Sequence, residues 1–451
     1  MSESAAQAIS RVGSVVAALR NSTAKPAIFP VTPEFTNWRS EQRAWRDSVA
    51  LLDQSHHMTD LFISGPDALK LLSDTGVNSF ANFRVDEAKQ FVGVNHEGYL
   101  IGDAVLFYLD ENSFDLVGWY MVLDWVQFIG ETGGYDVTFE RDANSLMRNG
   151  EDPKLYRYEI QGPRALALVE KIIGHEVPPT KFFGMATFEI DGVTVRSLRH
   201  GMAGQPGFEL FGPWNERLTV REAIVRNGEE FGLVLAGSRA YSTANLESAW
   251  VPSPIPAVFT GKQTEEYLAW LPAERIGSLA GSYSADNIEN YYLTPYDIGY
   301  GRVVAFDHDF IGREALEQRE KVQNRQKVTL VWQPEDVAAA QRTLYEPGVP
   351  AKFIEFPKAR YGLYQMDRVV VDGTDVGISH DVGYISNEHA FVSLASIDLD
   401  YAAPGTEVVV VWGEQPNSTK PAVEEHRQIG IRATVEPAPY SAFARENYRK
   451  N

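Results

Sequence analysis

Leu61-Phe62-Ile63-Ser64-Gly65-Pro66-Asp67-Ala68-Leu69 and Tyr158-Glu159-Ile160-Gln161-Gly162-Pro163-Arg164-Ala165-Leu166 state one pattern twice: four strand-forming residues, a Gly-Pro pair, then the opening of a helix. Proline suits a first helical turn because its missing N–H is one that the helix could not have paired. Two such units in one chain predict an internally duplicated α+β fold. Working outward, Trp38 to Leu51 has a helical spacing of apolar residues. The run Tyr99 to Leu109, apolar except for Asp103, predicts a strand pair around a turn. The Asn-, Asp- and Gly-rich stretch 141–154 reads as a linker or long loop between the two α+β halves.

Beyond Ala315 the pattern changes to short alternating runs: Val328 to Trp332, Arg368 to Val371, Phe391 to Ile397, Glu407 to Trp412 and Gly430 to Val435. Turn residues separate them, which predicts a β-barrel or sandwich from about residue 325. At the other end Ile9, Val12, Val15, Val16 and Leu19 are spaced like one helix face, broken by Arg11 and ended at Arg20. That segment is too short and polar for a membrane span or a signal peptide. The expected plan is a helical extension over 1–28, an α+β region over 29–320 with its internal break near 141–154, and a β domain over 325–440.

A chain of 451 residues exceeds what one hydrophobic core usually serves, in keeping with several domains. There is no Cys, so disulfides, thiolate nucleophiles and Cys-ligated metals are excluded by inventory, and a cytoplasmic location is expected. A formal charge of −20 without a dense basic run makes nucleic acid and anionic membranes poor partners. A small molecule is the expected partner, and the chain is expected to be a monomer or a small homo-oligomer.

Several constellations carry no chemistry. His56-His57 could touch a metal, but neighbouring side chains on a strand face opposite ways and no third ligand has zinc-like spacing, so no metal is expected. Asp307-His308-Asp309 reads as a solvated loop, and no phosphate-cradling loop, nucleophile elbow or dinucleotide fingerprint is present. Three segments say more: Gly201 to Glu209, with glycines at 201, 204 and 207 before a carboxylate; Gly237-Ser238-Arg239-Ala240-Tyr241, running on to Trp250 and a proline-rich stop; and Gly299-Tyr300-Gly301, followed by Phe310 to Leu316. The first is a loop through which backbone could approach a flat ligand with Glu209 pointing at it. Taken singly, each is also a plain turn before a regular element.

Their order is more specific. Val49 to His56, Ser64 to Ala68, Ile160 to Pro163, Gly201 to Glu209, Asp309 to Leu316, Val382 to Ser386 and Pro404 to Glu407 follow one another as the motifs of the glycine-cleavage T-protein (aminomethyltransferase) family do. The chain resembles that family along most of its length. The likeness is closer to its bacterial tetrahydrofolate-dependent O-demethylases of vanillate and syringate type, on Pro33 to Arg39, Asp53 to Met58, Leu198 to Gly204, Gly237 to Tyr241 and Tyr296 to Gly301. The general family's paired acids are represented by Gly102-Asp103, with one acid lost, which argues against simple aminomethyl chemistry.

The resemblance implies a duplicated ferredoxin-like, folate-binding aminomethyltransferase fold with a carboxy-terminal β-barrel, and tetrahydrofolate as cofactor. It implies Glu209 as acceptor for the pterin N–H groups, and Trp250, Gln161 and the Val117-Gly118 backbone as further cofactor contacts. Tyr241 is the expected general acid for the departing phenoxide, with His57 as substrate contact or proton relay. Relatives carry Tyr where this chain has Phe29 and Arg where it has Trp119, so Phe29 and Trp119 are expected to shape the substrate pocket without the planar fork that would bind a carboxylate. The expected substrate is a methoxyaromatic acid: syringate first, vanillate or 3-O-methylgallate next. A glycine-cleavage aminomethyltransferase and a non-catalytic folate-binding protein are the competing expectations.

Overall fold

The computed structural model describes residues 3–26, 29–415, 418 and 420–447. Both Gly-Pro corners form. Strand Thr59–Ser64 turns at Gly65 towards helix Ala68–Thr75, and strand Leu155–Gln161 turns at Gly162 towards helix Ala165–Ile173. The two glycines have φ of +139° and +136°. A Cβ would lie 2.4 Å from the Asp136 carbonyl oxygen at Gly65 and 2.6 Å from the Ser48 carbonyl oxygen at Gly162, so each corner admits glycine alone.

The obstructing backbone shows how the halves are joined. Asp136 leads into strand Thr138–Asp142, which pairs antiparallel with Thr59–Ser64. Ser48 leads into strand Val49–Asp53, which pairs antiparallel with Leu155–Gln161. The first half therefore lends Val49–Asp53, the strand that precedes its Gly-Pro unit, to the sheet of the second, whereas Thr138–Asp142 stays in its own half's sheet. One sheet has five strands, ordered 87–94, 100–110, 113–118, 59–64 and 138–142; the other has six, ordered 233–236, 49–53, 155–161, 207–213, 193–199 and 185–190. The stretch 143–154 connects the two sheets; the five-stranded sheet lies wholly before it, and the six-stranded sheet takes Val49–Asp53 from that side.

Two sequence expectations need correction. The helix expected over Trp38 to Leu51 ends at Asp47, and Val49–Asp53 is a strand. Val49 to Leu52 are buried between strands on both sides, and a run buried all round has no period to tell helix from strand. The expected strand pair over Tyr99 to Leu109 is one strand, Leu100–Asp110, with the turn delayed to Glu111-Asn112. Asp103 inside it marks a hydrogen-bonded buried carboxylate rather than a turn.

The carboxy-terminal region closes into a barrel of strands 325–332, 390–398, 374–385, 367–371, 407–412 and 429–436. Five of these match runs read from the sequence. The sixth, Thr374–Ile385, escaped because Gly377, His380, Asp381 and Gly383 break its alternation; His380 Nε2 lies 3.0 Å from Ser396 Oγ and Asp381 pairs with Lys358. Helices Ala5–Val12 and Val15–Asn21, divided at Gly13, pack the extension onto the body. Arg20 reaches the Gly281 carbonyl at 2.7 Å and Glu414 at 3.4 Å, so the chain that follows is delivered to the barrel's side of the molecule. Among the described residues no helix is long and apolar enough to cross a membrane.

Candidate functional site

Two cavities meet across a wall made by Met58, Met202 and Trp250. The first, of about 340 Å³, lies on the five-stranded sheet, with Gln90, Asp103, Val117 and Gly118 below and Phe183, His200 and Gly201 opposite. The second, of about 520 Å³, is lined by Phe29, His57, Trp119 and Tyr241 and by Ser253, Lys358 and Arg360.

Asp103 is the chemical centre of the first cavity. One carboxylate oxygen, Oδ2, accepts hydrogen bonds from Gln90 Nε2 at 2.5 Å, Trp250 Nε1 at 2.8 Å and the Tyr300 hydroxyl at 3.0 Å. Oδ1 has no partner among the described residues and belongs to a side chain that lines the cavity. Burial pushes the Asp103 pKa up to about 6, and the three donors with Lys327 limit the rise. A carboxylate with one saturated and one vacant oxygen is an acceptor awaiting N–H donors from a ligand. Trp250 is aimed by an unusual piece of backbone. Helix Ala244–Ser248 ends at Ala249 with φ +58°, a conformation L-residues rarely adopt, and this precedes the prolines expected to end it.

In the second cavity the Tyr241 hydroxyl lies 2.7 Å from His57 Nε2, with the rings edge to face at 5.0 Å. Burial lowers the His57 pKa to about 4, opposed by its hydrogen bond to the Gln54 backbone, so the imidazole is neutral near pH 7. Burial, followed by Glu159 and Glu209, holds the Tyr241 pKa well above its usual value. The pair is thus neutral and keeps its proton until a comparably buried oxyanion appears. Tyr241 ends the short helix Ser238–Tyr241, which is fixed from below: buried Glu41 accepts from the backbone N–H of Gly237 at 2.9 Å and of Phe35 at 2.7 Å. Gly237 is required there, since a Cβ would sit 2.3 Å from the Pro33 carbonyl oxygen.

The structure brings together Phe29, His57, Trp119, Tyr241 and Trp250, and places Val117 in the neighbouring cavity. Phe29 meets the His57 ring edge-on at 5.8 Å. His56 and His57 face apart as read, though on a turn rather than a strand: His56 Nδ1 is 3.0 Å from Ser145 Oγ. Glu209 and Gln161 lie elsewhere than expected. Glu209 is in strand Gly207–Pro213, not on a loop, and its carboxylate takes Arg157 Nη1 at 2.8 Å; it lines neither cavity. Arg157 also binds Asp60 and, at 2.7 Å, Asp115, so this cluster rivets one sheet to the other. Gln161 Oε1 accepts from Ala203 N at 2.9 Å and holds the glycine loop in place. The loop's glycines answer first to self-packing: a Cβ at Gly201 would lie 2.0 Å from the Gln205 carbonyl oxygen. Gly201 and Met202 nonetheless face the first cavity. His308 is less solvated than its loop suggested, with Nε2 3.0 Å from the Gly76 carbonyl and its ring against Phe310.

Asp103 was legible only as a lone acid in an apolar run, without a role. Tyr300 stood only within the Tyr296 to Gly301 motif, without a role, and Gln90 and Lys358 were not singled out, because each is recruited from a separate element.

Residues 13–252 match the model of the GCVT N-terminal domain. A syringate O-demethylase of Sphingobium sp. (strain NBRC 103272 / SYK-6) is 46% identical, over 99% of this chain and 98% of its own. A sesamin methylene transferase of Sinomonas sp. (strain No.22) is 28% identical, over 85% of this chain and 84% of its own. In fold, the chain is similar to the crystal structure of the glycine cleavage system aminomethyltransferase T from Bartonella henselae, with a TM-score of 0.62 and 17% identity over 93% of this chain and 95% of that one.

Proposed function

The chain belongs to the GCVT family, and within it we propose a tetrahydrofolate-dependent O-demethylase that moves a methyl group from a methoxyaromatic acid, syringate first, to tetrahydrofolate. The observation that carries this reading is the pair of cavities meeting at Trp250, one presenting a vacant carboxylate oxygen and the other a neutral Tyr–His pair.

The first cavity suits a reduced pterin. Asp103 Oδ1 would accept from its N–H groups, and Trp250, Val117 and Gly118 would flank the flat ring. Lys89 and Arg302, which line the same cavity, would meet the carboxylates of its glutamate end. When bound, tetrahydrofolate supplies a ring nitrogen able to accept a methyl group. The chain's own residues do the rest by positioning and proton supply. Phe29 and Trp119 confine the aromatic ring so that a methoxy carbon faces the shared wall. As the carbon–oxygen bond breaks, the Tyr241 hydroxyl gives its hydrogen to the phenolic oxygen, and a proton returned through His57 Nε2, 2.7 Å away, would restore Tyr241 and balance the one that the methyl-accepting nitrogen gives up. Its raised pKa does not forbid this, since a phenolate in the same cavity loses the same solvation and remains as strong a base. Glu209 and Gln161 support this site from beneath, the first through Arg157 and the second through the glycine loop.

The test is incubation with tetrahydrofolate and a panel of methoxybenzoates, following 5-methyltetrahydrofolate and the demethylated phenol by mass spectrometry. Equimolar appearance of both, fastest with syringate, is expected. Vanillate turned over well above syringate would defeat the choice of substrate, and ammonia release from an aminomethyl-lipoyl donor would favour the aminomethyltransferase reading instead.

A further inference from the structure

Substrate of this class carries a carboxylate, and charge in the second cavity is unevenly spent. At its mouth Lys25 and Glu355 stand exposed with opposite signs. Deeper in, Arg239 is matched by Glu34 at 3.0 Å and donates also to the Phe356 carbonyl at 2.6 Å. Lys358 is paired with Asp381 and donates to Asn245 Oδ1 at 2.9 Å. Arg360 differs. Its Nη2 donates to Ser253 Oγ at 2.8 Å and to the Leu363 carbonyl, and its Nε to the Gly362 carbonyl at 3.2 Å. All three acceptors are neutral, and among the described residues no carboxylate ion-pairs with it. Asp381, felt only through space, is already in contact with Lys358. Two cations therefore share one carboxylate, and the inner wall holds one unbalanced positive charge. Burying such a charge is costly unless an anion meets it. Trp119, which also lines the cavity, offers an indole and no charge.

We propose that Arg360, held by Ser253 and the Leu363 carbonyl, binds the carboxylate of the aromatic acid and so sets which end of the ring faces Tyr241. This rests on the O-demethylase reading and deepens it. The neutral acceptors fix the guanidinium's orientation without consuming its charge, which a planar carboxylate can then use.

The test is calorimetric titration of syringate, syringamide and tetrahydrofolate into the wild-type protein and into Arg360→Gln, Arg360→Lys and Ser253→Ala. Wild type should prefer the acid to the amide by roughly 10- to 100-fold, the range expected for hydrogen bonds to a charged group. Arg360→Gln should abolish that preference by weakening the acid alone, and Arg360→Lys should restore part of it. Ser253→Ala, a mild change that loosens the guanidinium, should weaken the acid by roughly 2- to 10-fold with the amide unmoved. Acid and amide weakening together would reduce Arg360 to a structural role. Loss of tetrahydrofolate binding with syringate unaffected would assign the charge to the cofactor's carboxylates, and absence of an acid preference in the wild type would end the proposal. Because binding is read without turnover, selective acid binding with no methyl transfer would overturn the O-demethylase reading alone.

Discussion

The cavity beside Asp103 has much of its wall on regular strands, whereas the cavity beside Tyr241 is assembled from the N-terminal extension, a four-residue helix, a proline-rich loop and the edge of the barrel region. Their electrostatics are opposed as well: the first displays a carboxylate short of donors, the second a guanidinium short of an anion. A site on rigid strands suits a cofactor of fixed shape. A site on connecting segments is where substrate preference can drift without disturbing the fold. The difference explains how a family could keep one ligand and change the other.

The comparison breaks most visibly at Tyr241. Tyr241→Phe should lower kcat by roughly 10²- to 10⁴-fold, the range for a general acid, while tetrahydrofolate binding is kept; single-turnover kinetics beside a folate titration would separate the two. Full rate in that variant would remove Tyr241 from the proton-donating role. Next, Asp103→Asn should weaken tetrahydrofolate by roughly 10- to 100-fold with little change in syringate affinity. In the wild type the deprotonated carboxylate is the acceptor, so folate affinity should hold above pH 6 and fall as pH drops through about 6. The variant should lose that dependence, and equal slopes in both proteins would discount Asp103.

Trp250→Phe probes the shared wall. It removes one donor from Asp103 and part of the partition, so both ligands should weaken by roughly 5-fold each, from the loss of about 1 kcal/mol. An effect confined to one ligand would show the cavities to be independent. An effect on stability rather than on either ligand should come from Glu159, whose pKa burial raises to about 8 beneath Met202 and Gln54. Its folded-state pKa exceeds its unfolded value, so the unfolded chain holds fewer protons in between, and this group's contribution to stability declines as pH rises from about 4.5 to about 8. Glu159→Gln should flatten the Tm-against-pH curve across that window, as read by calorimetry.

The Gly-Pro corners and five of the six barrel strands were legible because each is written in contiguous residues. Tyr241, His57 and Trp250 were found through motif order, and they converge. Glu209 illustrates the limit: nothing local reveals that Arg157, fifty-two positions earlier, takes its carboxylate. Thr374–Ile385 and Val49–Asp53 failed for opposite reasons, the first because polar residues inside the barrel hide its alternation, the second because burial on both sides erases it. Arg360 could not be ranked above Lys358 or Arg239 until their carboxylates were located.

The lent strand also bears on how the chain comes into being. Val49–Asp53 leaves the ribosome well before Leu155–Gln161, its antiparallel partner, exists. During that wait an apolar segment has no native edge to join, and long-range pairing of this kind slows folding. A cut within 143–154 leaves the five-stranded sheet whole in the first piece but deprives the six-stranded sheet of Val49–Asp53. The second fragment should therefore regain its sheet only when the first is added, because only then do Leu155–Gln161 and Leu233–Ala236 find the strand that lies between them.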